Sequence, residues 1–545
     1  MLSAIPNVSA ISPEMNSMKQ YWRFIMKQSN RHTCWLLSLI CGFALFGVSA
    51  ASADDWIEIP ADVLEDKIRG GLLGQLLGNL NGLPHENKYI DEPGNVEGYV
   101  PGLPEGARTD DDTDIEWVYI SEMARTGEIV IPYYRIGELW RKHINRNIWC
   151  ANAYAKVLMD IGYDPPITGD TRYNPWAEFN ISGQFLCESF ALVSPAMPEA
   201  ARRIGTHYTG VAVSGEPIVQ TKLFVTMIAK AFYESDINTL LDSGLRGIQS
   251  EPQSRPPRGI PVPPGKSINV GWTHSTQLGP LVEQVRAWHK EHPDDWRATR
   301  AAIKEKYSLH GGTTRDWNGY ELNTACTIAA LLYGEGDLVK TLEIAFNLGW
   351  DCDNNAATAA TIIGVIKGRK WMDQQGWVVK DVYKNITRDE MPDDETITGF
   401  GDKLVDVAER VLIHAGAQRL VLDGQDIWRI TPNIGRTFDP DPRQNWRRLG
   451  VHRSAIPEQQ LDPERLFKEL VSGEELKHAR IAYGAIAEGR ADQMRLDRPD
   501  DWAKAITALK KQEIVVTAML TGPMPSGRLL KGKAAAAGLT LPEQK

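Results

Sequence analysis

The chain has 545 residues, of which 42% are hydrophobic, 24% charged and 8% aromatic, enough apolar material for a substantial packed core and too much for a disordered or collagen-like chain. Lys and Arg number 60 against 70 Asp and Glu, a formal net charge of −10, so no general attraction to phosphate backbones exists and nucleic acid is not an expected partner. At about 150 residues per domain the length admits three or four domains, or one large helical domain with an appendage.

The N-terminal segment has the pattern of an export signal. Lys27 and Arg31 precede the apolar run from Cys34 to Val48, and Ser49-Ala50-Ala51-Ser52-Ala53 follow before the acidic Asp54-Asp55. A positive region, a short apolar region and a small-residue end define a signal peptide. Residues 1–53 are therefore expected to be a signal and precursor extension, with Met26 as an alternative start, and the mature protein to be periplasmic or secreted. The run is shorter than the about 20 residues of a spanning helix, so no membrane span is expected after cleavage; an uncleaved N-terminal anchor is the competing reading. The mature chain keeps Cys150, Cys187, Cys326 and Cys352. None is in a C-x-x-C pair, which argues against zinc or a thioredoxin-type motif, while disulfides (three pairings) and buried thiols both stay open.

From Asp54 onward the pattern is mainly helical. Between Asp66 and Leu83, Ile68, Leu72, Leu76 and Leu80 recur every four residues, and Gly70, Gly74 and Gly78 form a second stripe that would let another helix approach closely. The runs Ile115–Met123, Val219–Phe232, Cys326–Leu332, Leu338–Leu348 and Ala356–Ile366 repeat the helical period. An all-α core is predicted. The proline-rich stretch Glu251 to Gly265 cannot continue a helix and is expected to be a long loop bordering a site. After about Ala415 the texture changes, with helices expected again from Pro463 behind Asp462 as N-cap. The expected division is 54–425 for the main domain and 426–545 for a small, mainly helical C-terminal appendage.

Two acidic turns carry the chemistry. The first is Asp110-Asp111-Asp112-Thr113-Asp114-Ile115-Glu116, five acids in seven residues at the start of an amphipathic helix. So many like charges repel unless solvent or a cation intervenes, although acids also favour helix N-termini through the macrodipole. The second is Gly349-Trp350-Asp351-Cys352-Asp353-Asn354-Asn355, entering an Ala- and Thr-rich helix. Hard oxygen ligands of this kind suit Mg²⁺, Mn²⁺ or Ca²⁺. Neither turn is an EF-hand, since positions six and twelve are Ala356 and Ile362 from Asp351, and Ile115 and Ser121 from Asp110. Glu116 is expected to stand beyond the cluster.

With these turns and the glycine-striped helix in order, the segment from about 60 to 420 resembles the ADP-ribosylglycohydrolase family, including the dinitrogenase reductase-activating glycohydrolases. The family's opening helix is matched by Asp66-Lys67-Ile68-Arg69-Gly70-Gly71-Leu72-Leu73-Gly74 and on through Gly78, Asn79, Gly82, Pro84 and Glu86. Its T-D-D-T falls on Asp110-Asp111-Asp112-Thr113, the register in which Ile115 supplies the apolar residue two positions on. Its G-G-D-x-D-[ST]-x-A-A is similar to Gly349–Ala357. The resemblance implies an all-α fold around two divalent cations, Mg²⁺ first, with Asp110, Asp111, Asp112, Asp351, Asp353 and Asn354 as ligands. It implies Glu86 as general base, with Asp111 as the other catalytic carboxylate, and Asn180, Ser182, Gly183 and His207 as substrate contacts. Departures from the family pattern are Asn79 for Asp, Asp110 for Thr, Asn354 for Ser or Thr, and a missing Met-Arg after the Asn180 turn.

The expected activity is water attack at C1 of an ADP-ribosyl or related ribosyl conjugate, small-molecule or protein-linked. Two other readings compete: a metal-dependent hydrolase of another sugar glycoside, for which 17 tryptophans and the altered phosphate turn argue, and a non-catalytic metal- or sugar-binding module, against which the retained carboxylates argue.

Overall fold

The computed structural model describes residues 56–249, 276–310, 314–315, 318–432, 474–521 and 525–542. The expected signal segment, the proline-rich stretch and the helix start at Asp462 lie outside the described residues. The principal helices are α1 (Ala61–Gly82), α2 (Asp111–Thr126), α3 (Cys150–Asp160), α4 (Pro198–Thr209), α5 (Glu216–Lys230), α6 (Tyr320–Gly334), α7 (Leu338–Leu348), α8 (Cys352–Lys367), α9 (Ile397–His414) and α10 (Glu474–Ala487).

The glycine stripe of α1 sets the centre of the fold. A Cβ at Gly70 would stand 2.5 Å from Gly364 O, one at Gly74 2.2 Å from Ala360 O, and one at Gly78 2.4 Å from the Ala356 carbonyl. The helices α1 and α8 therefore run antiparallel with backbone against backbone, a contact that only residues without a side chain permit. The apolar stripe lies on another face, and Ile68, Leu72 and Leu76 are buried in the main core. That core continues through α2, α5, α6, α7 and α9, with Trp117, Trp140 and Trp350 among its largest side chains.

A small antiparallel sheet closes the main unit. Strand β1 (Ile57–Pro60) pairs with Gln425–Ile430, which returns in a hairpin from Gln418–Leu422. The sequence reading did not anticipate this sheet, and its expected boundary at 426 falls inside the central strand, whose Trp428 and Ile430 belong to the main core. Ala107–Arg108 pairs in parallel with Tyr383–Lys384, which fixes the entry to α2.

The C-terminal helices, from α10 to Pro525–Ala536, form a second apolar cluster with Tyr154 and Leu158 of α3 and with Ile161, Tyr163 and Tyr173. Hydroxyls tie the junction: Tyr163 donates to Arg480 O at 2.7 Å, Tyr173 to Glu488 Oε1 at 2.6 Å, and Tyr154 meets Tyr483 at 3.0 Å. The four cysteines among the described residues are thiols rather than disulfides, and burial pushes the Cys187 and Cys352 thiols well up. No helix among the described residues is long and apolar enough to cross a membrane.

Candidate metal centre and active site

The first acidic turn sits where the chain leaves the parallel ladder and enters α2. Asp110 is extended (φ −143°, ψ 156°), and its carbonyl accepts from Asp114 N at 2.8 Å to open the helix. The segment 383–388 clamps this turn from one side. Thr109 N donates to Lys384 O at 2.9 Å, Ile386 N donates to Thr109 Oγ1 at 2.8 Å, and the Thr113 and Tyr383 hydroxyls meet at 2.9 Å. Arg388 and Asp114, both fully buried, form an ion pair at 2.7 Å. Arg388 also donates to the carbonyls of Arg146 and Asn147. Burial pushes the Asp114 carboxyl up to about 6 against the pull of Arg388.

The second turn precedes α8. Gly349 and Trp350 both adopt positive φ (83° and 58°), and a Cβ at Gly349 would lie 2.0 Å from Tyr89 O, so glycine is required there. This contact seats the loop that follows α1. Asn87 N donates to Trp350 O at 2.8 Å, while the Arg300 guanidinium covers the Trp350 ring at 4.4 Å and donates to Leu348 O and Tyr89 O. Glu86 is thereby held beside the second turn.

Two groups of carboxylate oxygens result, each with its members within 4.8 Å of one another: Asp110, Asp111 and Asp112, and Glu86, Asp351 and Asp353. Asn79, one turn before the end of α1, joins them. Its Nδ2 donates to Asp112 Oδ2 at 2.6 Å, Asp110 Oδ2 at 3.2 Å and Asp353 Oδ2 at 3.4 Å. The close α1–α8 crossing makes this possible, since Gly82 packs on the Asp353 backbone. Burial raises every one of these carboxyls, and for all but Asp110, which Asn79 and Arg108 pull back down, repulsion by neighbouring carboxylates adds to it. Asp110 and Asp353 press on Asp111 and Asp112, and Glu86 presses on Asp351 and Asp353. Glu86 itself is raised by burial and by Asp110.

The donor set fits divalent cations. Asp353 Oδ1 and Asn79 Oδ1 are buried with no hydrogen-bond partner among the described residues, and buried acceptors are rarely left so. Six converging carboxylates offer only hard oxygens, the chemistry of Mg²⁺, Mn²⁺ or Ca²⁺. Cations held here would be placed to orient a substrate hydroxyl and a water for hydrolysis.

The expected site residues do not all converge. Asp110, Asp111, Asp112, Asp351, Asp353 and Glu86 do. Asn354 instead turns its Nδ2 to Asp112 Oδ1 at 3.3 Å while its oxygen accepts from Gln184 Nε2 at 3.0 Å, so it braces Asp112 as a donor rather than adding a ligand oxygen. Asn180 and Ser182 are buried and spend their side chains on Asn318, Asn152 and each other. Gly183 allows α5 to approach, its Cβ position lying 1.9 Å from Pro217 O. His207, on α4, bonds Ile131 O through Nε2 at 2.7 Å and stacks on Tyr133; burial lowers it to about 4. None of these contacts joins it to the acidic groups. Glu116 stands outside both carboxylate groups and is fully buried: it accepts from Gln75 Nε2 at 2.8 Å and Ser189 Oγ at 2.9 Å, and is repelled by the equally buried Glu188. The residues that the sequence reading missed are Arg388, Gln184 and Asn318.

The family model for ADP-ribosylglycohydrolase matches residues 60–417. The chain belongs to that family, and it is a hydrolase acting on glycosidic bonds. Among solved structures it is similar to one described as an "ADP-ribosylglycohydrolase-related protein complex", at 13% identity and a TM-score of 0.39, covering 64% of this chain and 99% of that one. No curated protein matches the chain.

Proposed function

We propose that this glycohydrolase is an exported, divalent-cation-dependent enzyme that cleaves the bond at C1 of an ADP-ribosyl N- or O-glycoside. The observation that carries the reading is the convergence of the two carboxylate groups on the Asn79 amide. Asp110, Asp111 and Asp112 would hold one cation, and Asp351, Asp353 and Glu86 would face the other. Bound cations would hold the ribose hydroxyls and make a water more acidic. Glu86 is partly exposed whereas Asp351 and Asp353 are buried, so it stands at the open edge of its group. There it accepts the proton of the attacking water as the water oxygen bonds to C1 and the C–N or C–O bond breaks, its raised carboxyl suiting it to that work. Asp111, also partly exposed, is the alternative acceptor. Export rests on the signal-like run from Cys34 to Val48.

A second reading, hydrolysis of a sugar glycoside without a diphosphate, is favoured by one observation. The Asn180–Gly183 turn, expected at the ribose and phosphates, is folded inward and occupied with protein partners. Mass spectrometry of products separates the two readings, using ADP-ribosyl-arginine, ADP-ribosyl-serine and a panel of oligosaccharides as substrates. Release of ADP-ribose supports the first reading, and sugar release from the oligosaccharides alone supports the second. In either case Asp112→Asn and Asp353→Asn should abolish product formation.

A further inference from the structure

Asn318 stands outside every motif recognised in the sequence, yet its amide touches the second carboxylate group. Its Nδ2 donates to Asp351 Oδ2, and its Oδ1 accepts from Asn180 Nδ2. Asn180 Oδ1 accepts in turn from the hydroxyl of Ser182 and from Ser182 N at 2.9 Å. The Ser182 oxygen accepts from Asn152 Nδ2, on α3, at 3.1 Å. Every donor in this series points toward Asp351, so the bonds polarise one another in the sense that favours the anion. The backbone holds the series in register: Ile181 N donates to Asn318 O at 3.1 Å, Tyr320 N to Phe179 O at 3.0 Å, and Asn180 bridges Gly319.

A carboxylate with one oxygen gripped in this way is confined in rotation, and its orientation toward the neighbouring Asp353 and Glu86 is set before any ligand arrives. We propose that Asn318 is the positioning residue of Asp351, and that Asn180 and Ser182 serve the site from behind through it. Their burial, at 2% and 0% exposure, is what that role requires. The inference rests on the reading of Asp351 as a cation ligand.

The test is calorimetric titration of Mn²⁺ into the purified protein, wild type, Asn318→Ala, Asp351→Asn and the double variant. Asn318→Ala should weaken Mn²⁺ binding about 10- to 100-fold while the melting temperature of the metal-free protein stays near that of the wild type. In the Asp351→Asn background the same change should matter less than about 2-fold, because its only route is already cut. If Asn318→Ala does not fold, Ser182→Ala, which breaks the series one link back, should still weaken binding. Wild-type affinity in Asn318→Ala, or an equal loss in both backgrounds, would overturn the proposal and leave the metal centre standing. No Mn²⁺ binding by the wild type would overturn the metal reading itself and this inference with it.

Discussion

Gly78→Ala should open the crossing on which the site depends. The added methyl would meet the Ala356 carbonyl carbon and oxygen at 2.4 Å and Ala357 N at 2.5 Å, all backbone atoms of α8 that cannot rotate aside. Relief to an ordinary contact of about 3.4 Å requires the helices to part by roughly 1 Å. Overpacking of this kind costs about 1–3 kcal/mol, and the better helix propensity of alanine returns about 1 kcal/mol, so a net loss of about 1 kcal/mol is expected from the middle of that range. The same opening would break the Asn79 contact to Asp353, already at 3.4 Å, and should weaken Mn²⁺ binding. A matched control is Gly532→Ala on Pro525–Ala536, where nothing lies within 4 Å of the new methyl; there only the propensity gain of about 0.5–1 kcal/mol applies. Urea denaturation of both variants, with Mn²⁺ calorimetry of the first, decides the matter. Gly78→Ala as stable as the wild type, or both variants moving in the same direction, would refute the claim that the glycine stripe sets the α1–α8 distance.

Glu188 gives a pH test. Burial raises its carboxyl to about 7 from an ordinary 4.5, so between those values the folded protein keeps a proton that the unfolded chain has released. Stability should therefore fall as pH rises across that window and level off above it, by about 3 kcal/mol from this group. Glu188→Gln should flatten that slope in denaturation curves at pH 5 and 8, and an unchanged slope would count against it. Arg388→Met leaves Asp114 buried and unpaired and should cost about 3–5 kcal/mol by chemical denaturation, with Arg388→Met/Asp114→Leu recovering most of the loss. Glu86→Gln should lower kcat by about 10²–10⁴-fold and weaken Mn²⁺ less than Asp353→Asn does, as steady-state rates and calorimetry would show. If the proposed export with signal cleavage holds, N-terminal sequencing of the mature protein should find a start near Ala51 or Asp54; an intact N-terminus in a membrane fraction would favour an anchor.

The parts of the molecule legible in the sequence are those whose signal is local. The stripe of Gly70, Gly74 and Gly78 announced a close helix crossing because its period is that of one helix face, and each acidic turn lies within a handful of consecutive residues. What could not be read is long-range. Asn318 meets Asp351 across 33 positions, and Ile57 pairs with Ile430; a four-residue strand carries too little alternation to declare itself. Arg388 looks like any surface arginine until the 383–388 segment folds against α2. Asn180, Ser182 and Gly183 are ambiguous in the sequence for a related reason: small polar residues at a turn suit a ligand and a buried network equally well, and the network becomes visible only with the packing of α5 and the Asn318 backbone against them. Glu116 lies outside both carboxylate groups, and what its sequence position does not announce is its burial: one helical turn beyond Asp112 it meets Gln75, itself one turn before Asn79.

The most direct test of the account is the release of ADP-ribose from ADP-ribosyl-arginine by purified protein, measured by mass spectrometry with and without Mg²⁺ after chelator treatment. Hydrolysis that appears only when Mg²⁺ is restored, and is lost in Asp112→Asn and Asp353→Asn, is the predicted result. Undiminished hydrolysis in the chelated protein or in either variant would contradict it.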